Sequence, residues 1–166
     1  AGKDYDYGRL IDLARSSDPR VSFIDPDYPA FVPPGDMPLR IQDFCRQTGQ
    51  TVPNAEGAVI RCCLESLALK CRHVLGQLEA VLHRTLTKIH VVGGGVQNAL
   101  LCQLISSATG REVVAGPVEA TALGNVLIQA RSAGDLSTLA DIREVVRRSA
   151  SIEEYTPDET DAWDMV

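Results

Sequence analysis

The stretch "IHVVGGGVQNALLCQLISSATGREVVAGPVEATALGN", residues 89–125, carries most of what the sequence says about the fold. It opens on a β-branched run, "KIHVV" from Lys88, suited to a buried strand, and stops at three consecutive glycines. "NALLCQLISSATG" then sets Leu100, Leu101, Leu104, Ile105 and Ala108 on one helical face, with Gly110 as its stop. "REVVAG" is a second short strand. "PVEATALGNVLIQARSAG" is a second helix, with Pro117 at its start and Leu123, Val126, Leu127 and Ala130 facing inward. Gly124 interrupts that face and implies a close neighbour. Strand, helix, strand, helix is a βαβ unit, so the two strands are expected to be parallel.

Outward from this unit the chain is mostly helical. "GDMPLRIQDFCRQTG" reads as a helix capped by Asp36, with Met37, Ile41, Phe44 and Cys45 on one face and Gly49 at its end. A longer pattern follows "TVPNAEG": Ile60, Leu64, Leu67, Cys71, Val74, Leu75, Leu78 and Leu82 make one stripe. From Asn54 to Leu82 such a helix would run roughly 40 Å at about 1.5 Å per residue. "STLADIREVVRRS" gives a last helix, with Thr138 and Asp141 spaced as a capping box. Before Asp36 a short helical pattern ends at Ala14, and Pro26, Pro29, Pro33 and Pro34 make a loop, with at best an edge strand at Val21–Ile24.

Bulk composition narrows the classes of function. The chain has 166 residues, 45% hydrophobic and 23% charged, an ordinary globular profile with room for one core. No apolar run reaches the roughly 20 residues of a membrane span, and no signal peptide opens the chain. Five cysteines, none in a CxxC pair, point to reduced thiols and a cytoplasmic protein. The net charge of −6 is local: Glu153, Glu154, Asp158, Glu159, Asp161 and Asp164 follow Ser151 without any Lys or Arg. The body is therefore neutral and gives no electrostatic case for nucleic acid. Residues 151–166 read as a solvated acidic tail, with Trp163 folding back onto the body. The opening "AGKDYDYG" lacks an initiator Met and suggests a piece of a longer polypeptide.

The triple glycine is the candidate site. Without Cβ atoms, Gly93, Gly94 and Gly95 can take positive φ and let a ligand lie on bare main chain. The helix that follows aims unpaired N–H groups at the same spot. A nucleotide fits that demand; a tight turn with no ligand is the plain alternative. A dinucleotide fingerprint fits less well, because Asn98 takes the third glycine's place and Glu119 opens a helix where a strand should end. Walker A is absent. The cysteines and His73, His83 and His90 show no zinc spacing, so the thiols read as small buried hydrophobes, with a Cys45–Cys62 bridge conceivable. His90 reads as packed or half exposed on its strand. Arg143, Arg147 and Arg148 read as a solvated basic face.

"VVGGGVQNALLCQLISSATGREVVAGPVEATALGN" closely resembles the C-terminal lobe of the FGGY carbohydrate kinases. "FIDPDYPAFVPPGDMPLRIQDFCRQTGQTVP", "IRCCLESLAL" and "REVVRRS" extend the likeness over nearly the whole chain. The resemblance implies an α/β fold, the helix-rich part of an actin-like, ribonuclease H-like ATPase lobe. Residues 1–150 would be part of that nucleotide-binding lobe. ATP or ADP with Mg2+ would be used, and a small sugar phosphorylated: first L-rhamnulose at its 1-hydroxyl, with xylulose, fuculose or glycerol-like substrates as alternatives. Carried over, Gly93, Gly94 and Gly95 would lie against adenosine, and Asn98 would present its amide to the adenine edge, with a plain polar residue at the helix N-terminus as its alternative. Gly116-Pro117 and Glu119 match the family's capped helix start, while Ser107 stands where Asp is usual. The family's D-x-G-T phosphate loop, second phosphate loop and base Asp are not found here, so the isolated chain is expected to be inactive. Uncovered apolar surface on the βαβ unit would favour self-association. A non-catalytic interaction module and a nicotinamide-type domain are the other readings.

Overall fold

β1 (Lys88–Val91) and β2 (Glu112–Ala115) lie side by side and parallel, with Lys88 opposite Glu112 and Val91 opposite Ala115. α4 (Ala99–Thr109) is the crossover that such a pair requires. The computed structural model describes residues 6–164. α4 buries Leu100, Leu104, Ile105 and Ala108, with Leu101 half buried, in a core shared with Val113 and Ala115. Gly110 ends it in the left-handed region, φ 64°. The parallel unit is as the sequence suggested, except that β1 is not a buried strand. Its residues alternate between exposed and half buried, and His90 is exposed.

α3 (Glu56–Leu82) spans 27 residues and packs against α4 and against α1 (Tyr7–Arg15). The expected stripe divides in two. Leu64 joins Ala68 in the core with α4 and α1, and Leu75 is also buried, while Leu67, Val74, Leu78 and Leu82 stay exposed. A stripe read at three- and four-residue steps is wider than the face two neighbours can cover, so its flank is left open. Gly57 marks the closest approach: a Cβ there would overlap the Leu13 carbonyl of α1. α2 (Met37–Gln47) begins as expected, with Asp36 accepting the Leu39 N–H at 3.1 Å. Its Ile41 and Cys45 meet Val59 and Cys62 of α3 in a second, smaller core. Arg40 donates to the carbonyls of Ala30, Pro33 and Pro34 and so holds the proline loop closed.

Three expectations are corrected. Val21–Ile24 is not a strand: its backbone N–H groups go to side chains, Phe23 to Gln50 Oε1 at 2.8 Å and Ile24 to Ser66 Oγ at 2.9 Å. Extended chain satisfied in this way needs no strand partner. The C-terminal segment is not a solvated tail. β3 (Glu153–Tyr155) pairs antiparallel with β2 (Val113 opposite Tyr155), while Trp163, 2% exposed, folds back as expected and completes the core under α4. Its six acids nonetheless all face solvent, which is why charge alone made it look solvated throughout. α5 (Ala120–Ala133) buries only Leu127; Val126 is 61% exposed and no atom lies within 4 Å of a Cβ built on Gly124. The neighbour that Gly124 implied is absent from the described residues. α6 (Leu139–Ser149) carries the expected capping box between Thr138 and Asp141, and its Arg147 and Arg148 pair with Glu144 on the surface. No helix among the described residues is long and apolar enough to cross a membrane.

Candidate nucleotide site at the strand ends

Both parallel strands deliver their C-terminal ends to one edge of the sheet, where open α/β sheets place ligands. The chain leaves β1 through a 3-10 turn, Gly93–Gln97, before α4 begins. Gly93 has φ 77°, so backbone conformation alone requires glycine there. Gly94 and Gly95 are different. A Cβ on Gly94 would meet nothing within 4 Å, and one on Gly95 would meet only Val91 Cγ1, at an ordinary 3.6 Å. Both are exposed and neither has positive φ. Nothing among the described residues asks for glycine at these two positions, so they make a strip of bare main chain facing outward.

The turn is fixed from two sides. Gly93 N–H donates to Pro117 O at 3.2 Å, and Gly116 N–H donates to Val91 O at 2.9 Å, so the turns after β1 and β2 are bonded edge to edge. On the other side Asn98, 3% exposed, caps α4: Oδ1 accepts the Leu101 N–H at 3.0 Å, and its own N–H donates to Gly95 O at 3.2 Å. Its Oδ1 is thereby committed to the helix, beneath the exposed turn. From Gly93 to Asn98 there is no charged side chain. Such a surface suits a neutral base and ribose better than phosphates, whose charge needs cations or a metal.

Other candidates resolve towards structure. Glu119 lies between the end of β2 and the start of α5, exposed, and its side chain makes no cap bond. It is therefore not a ribose ligand at a strand end; it opens α5 as its N-cap residue, as expected, without a side-chain cap bond, and Pro117 precedes α5 without entering it. All five cysteines are unbridged. Burial pushes the Cys62 thiol up to about 12, which keeps it protonated and unreactive. Among the described residues no three His, Cys, Asp or Glu side chains are grouped so as to hold a metal.

Sequence reasoning missed a buried ion pair. Glu65, 1% exposed, accepts Arg61 Nε at 2.6 Å and the Arg20 N–H at 2.8 Å. The four-residue spacing of Arg61 and Glu65 was the available signal. This pair lines a cleft of about 300 Å³ between the end of α1 and the start of α3, with no residue in common with the glycine turn.

Comparison with known proteins places this geometry in a family. Residues 2–133 match the C-terminal domain of the FGGY family of carbohydrate kinases. The chain is 45% identical over 161 residues to a rhamnulokinase of Bacteroides thetaiotaomicron, covering 97% of the chain and 33% of that protein. A rhamnulokinase of Bacillus subtilis is 35% identical over 158 residues, 95% of the chain and 33% of the relative. The chain thus spans about a third of the length of the curated relatives it matches. Among solved structures, Plasmodium falciparum glycerol kinase with ADP superposes with a TM-score of 0.67 at 14% identity, over 96% of this chain and 32% of that one. Xylulose kinase from Rhodospirillum rubrum gives 0.53 at 23% identity, over 70% and 24%. The fold is that of the sugar kinases, the helix-rich part of an actin-like, ribonuclease H-like lobe, and the chain belongs to the FGGY family of carbohydrate kinases.

Proposed function

We propose that this chain is the adenosine-holding part of an ATP-dependent kinase that converts L-rhamnulose to L-rhamnulose 1-phosphate. The observation that carries the reading is the bare main chain at Gly94 and Gly95, where the fold itself has no need of glycine. The choice of sugar rests on the rhamnulokinases that match nearly the full chain. Glycerol and xylulose kinases share the fold at lower identity, so their substrates are the alternatives.

In this reading the base and ribose rest on Gly94–Gly95, backed by Gly93 and held in place by Asn98 through its cap on α4. The triphosphate points away, towards polypeptide outside this chain. Transfer breaks the bond from the γ-phosphorus to the β,γ-bridging oxygen and forms one to the sugar's 1-oxygen, whose proton a carboxylate base accepts. That base and the phosphate loops would come from the remaining two thirds of the enzyme. Mg2+ would ride mainly on the phosphates and on the part of the enzyme outside this chain. The test is a coupled ADP-release assay on the complete kinase, with L-rhamnulose, xylulose, fuculose and glycerol compared by kcat/KM. Preference for L-rhamnulose, with no turnover by the 166-residue chain alone, is expected. Preference for another sugar would reassign the substrate, and turnover by the chain alone would refute the division of labour.

A further inference from the structure

The C-terminal segment, which its acidity made look like a solvated tail, lies directly behind the proposed nucleotide turn. Both hydrogen bonds that fix the turn's outer edge run through the main chain of Gly116 and Pro117. Gly116 is buried with φ 132°, and a Cβ built on it would stand 2.5 Å from Ser151 O and 3.4 Å from Ile152 Cα. The backbone of Ser151–Ile152 is therefore the wall against which Gly116 rests. That wall is itself held at several points. Glu153 pairs with Ala115 across β2 and β3. Three residues of α4 reach the same segment: Gln103 Nε2 donates to Thr156 O at 2.8 Å, Ser106 Oγ to Tyr155 O at 3.0 Å, and Ser107 Oγ accepts the Asp158 N–H at 3.2 Å. Trp163 then closes the core.

Resting on the nucleotide reading above, we infer that residues 151–163 act as a strap that sets the position of the glycine turn, with Gly116 as the positioning residue through which it acts. The chain of contact is short. Ser151–Ile152 fixes Gly116, Gly116 and Pro117 fix Val91 and Gly93, and these fix the strip at Gly94–Gly95. Because the strap also grips α4, it holds both elements that flank the turn in one register. A group that acts only through position should change nucleotide affinity and leave the sugar side and the chemistry alone.

Steady-state kinetics of the complete kinase test this. Gly116→Ala places a methyl against Ser151 O, and a tenfold or larger rise in KM for ATP is expected, with kcat and the sugar KM within about twofold of the parent. A milder loosening, Gln103→Ala with Ser107→Ala, should raise the ATP KM two- to fivefold with the same split, and it decides the matter if Gly116→Ala does not fold. Gly95→Val serves as the reference for the turn itself. If Gly95→Val raises the ATP KM and both strap variants that fold leave it unchanged, the inference is wrong and the nucleotide reading stands. If Gly95→Val leaves it unchanged, the nucleotide reading has failed instead. An equal loss in kcat and both KM values would also overturn the inference, since it would show general structural damage.

Discussion

Gly93, Gly94 and Gly95 are one motif in the sequence and two kinds of residue in the structure. Gly93 is required by its left-handed φ, so Gly93→Ala should cost about 1–2 kcal/mol of stability. Gly94 has no such requirement and open space where a Cβ would go. Gly94→Ala should leave the chain as stable or raise stability by roughly 0.4–1 kcal/mol, through the unfolded state. Paired thermal melts of the two variants check this; equal destabilisation would mean that Gly94 serves the fold and not a ligand. That the run is a strand-to-helix turn was legible in the sequence, because triple glycine between a β-branched run and an amphipathic one has few other uses. That Asn98 spends its Oδ1 on the cap was not, since an N-cap and a ligand amide carry the same letter. Cys62 shows the same limit from the other side. Burial holds its thiol up to about 12, so an alkylating reagent at about pH 8 should modify Cys62 only on unfolding. Rapid labelling of Cys62 in the folded chain, read by peptide mass spectrometry, would contradict its placement in the core.

At the scale of elements, α3 owes its seating to polar as well as apolar groups. Glu65→Ala would leave Arg61 and the Arg20 N–H without their buried partner and should cost on the order of 3–5 kcal/mol in chemical denaturation. A cost under about 1 kcal/mol would mean the pair is solvated. α6 depends on a cap that acid can remove. The N–H groups of Thr138, first, and Ser137 hold the Asp141 carboxylate below its usual range. Its contribution is therefore present above the ordinary value near 3.9 and lost as pH falls through the lower folded value. Helicity from α6 should persist at about pH 5 and fade only in stronger acid, whereas in Asp141→Asn this acid step should be absent. Elements of this kind were readable because caps and periodicity are local. β3 was not: three residues rich in Glu carry no strand signal, and pairing with β2 across the intervening helices supplies what the local sequence lacks. For the same reason the α3 stripe could be seen but not divided, since which half is covered depends on where α1 and α4 land.

Across the whole molecule, the core is closed by its last residues. Trp163, the chain's one tryptophan, is buried, and Arg72 donates to its carbonyl at 3.1 Å. Trp163→Ala should cost about 3–5 kcal/mol, and the fluorescence of the parent should report docking of the strap; an unaltered melting temperature in the variant would show that the segment is an appendage after all. The proposed site, by contrast, would be one face of a cleft. In that proposal Gly94–Gly95 is the floor, while α5 and the outer flank of α3 leave apolar side chains uncovered in a chain that spans a third of its relatives' length. The central claim, that this floor takes the base and ribose of ATP, is tested most directly by one variant. In the complete kinase, Gly95→Val should raise KM for ATP at least tenfold and leave KM for the sugar unchanged; a rise confined to the sugar KM, with the ATP KM unmoved, would contradict it.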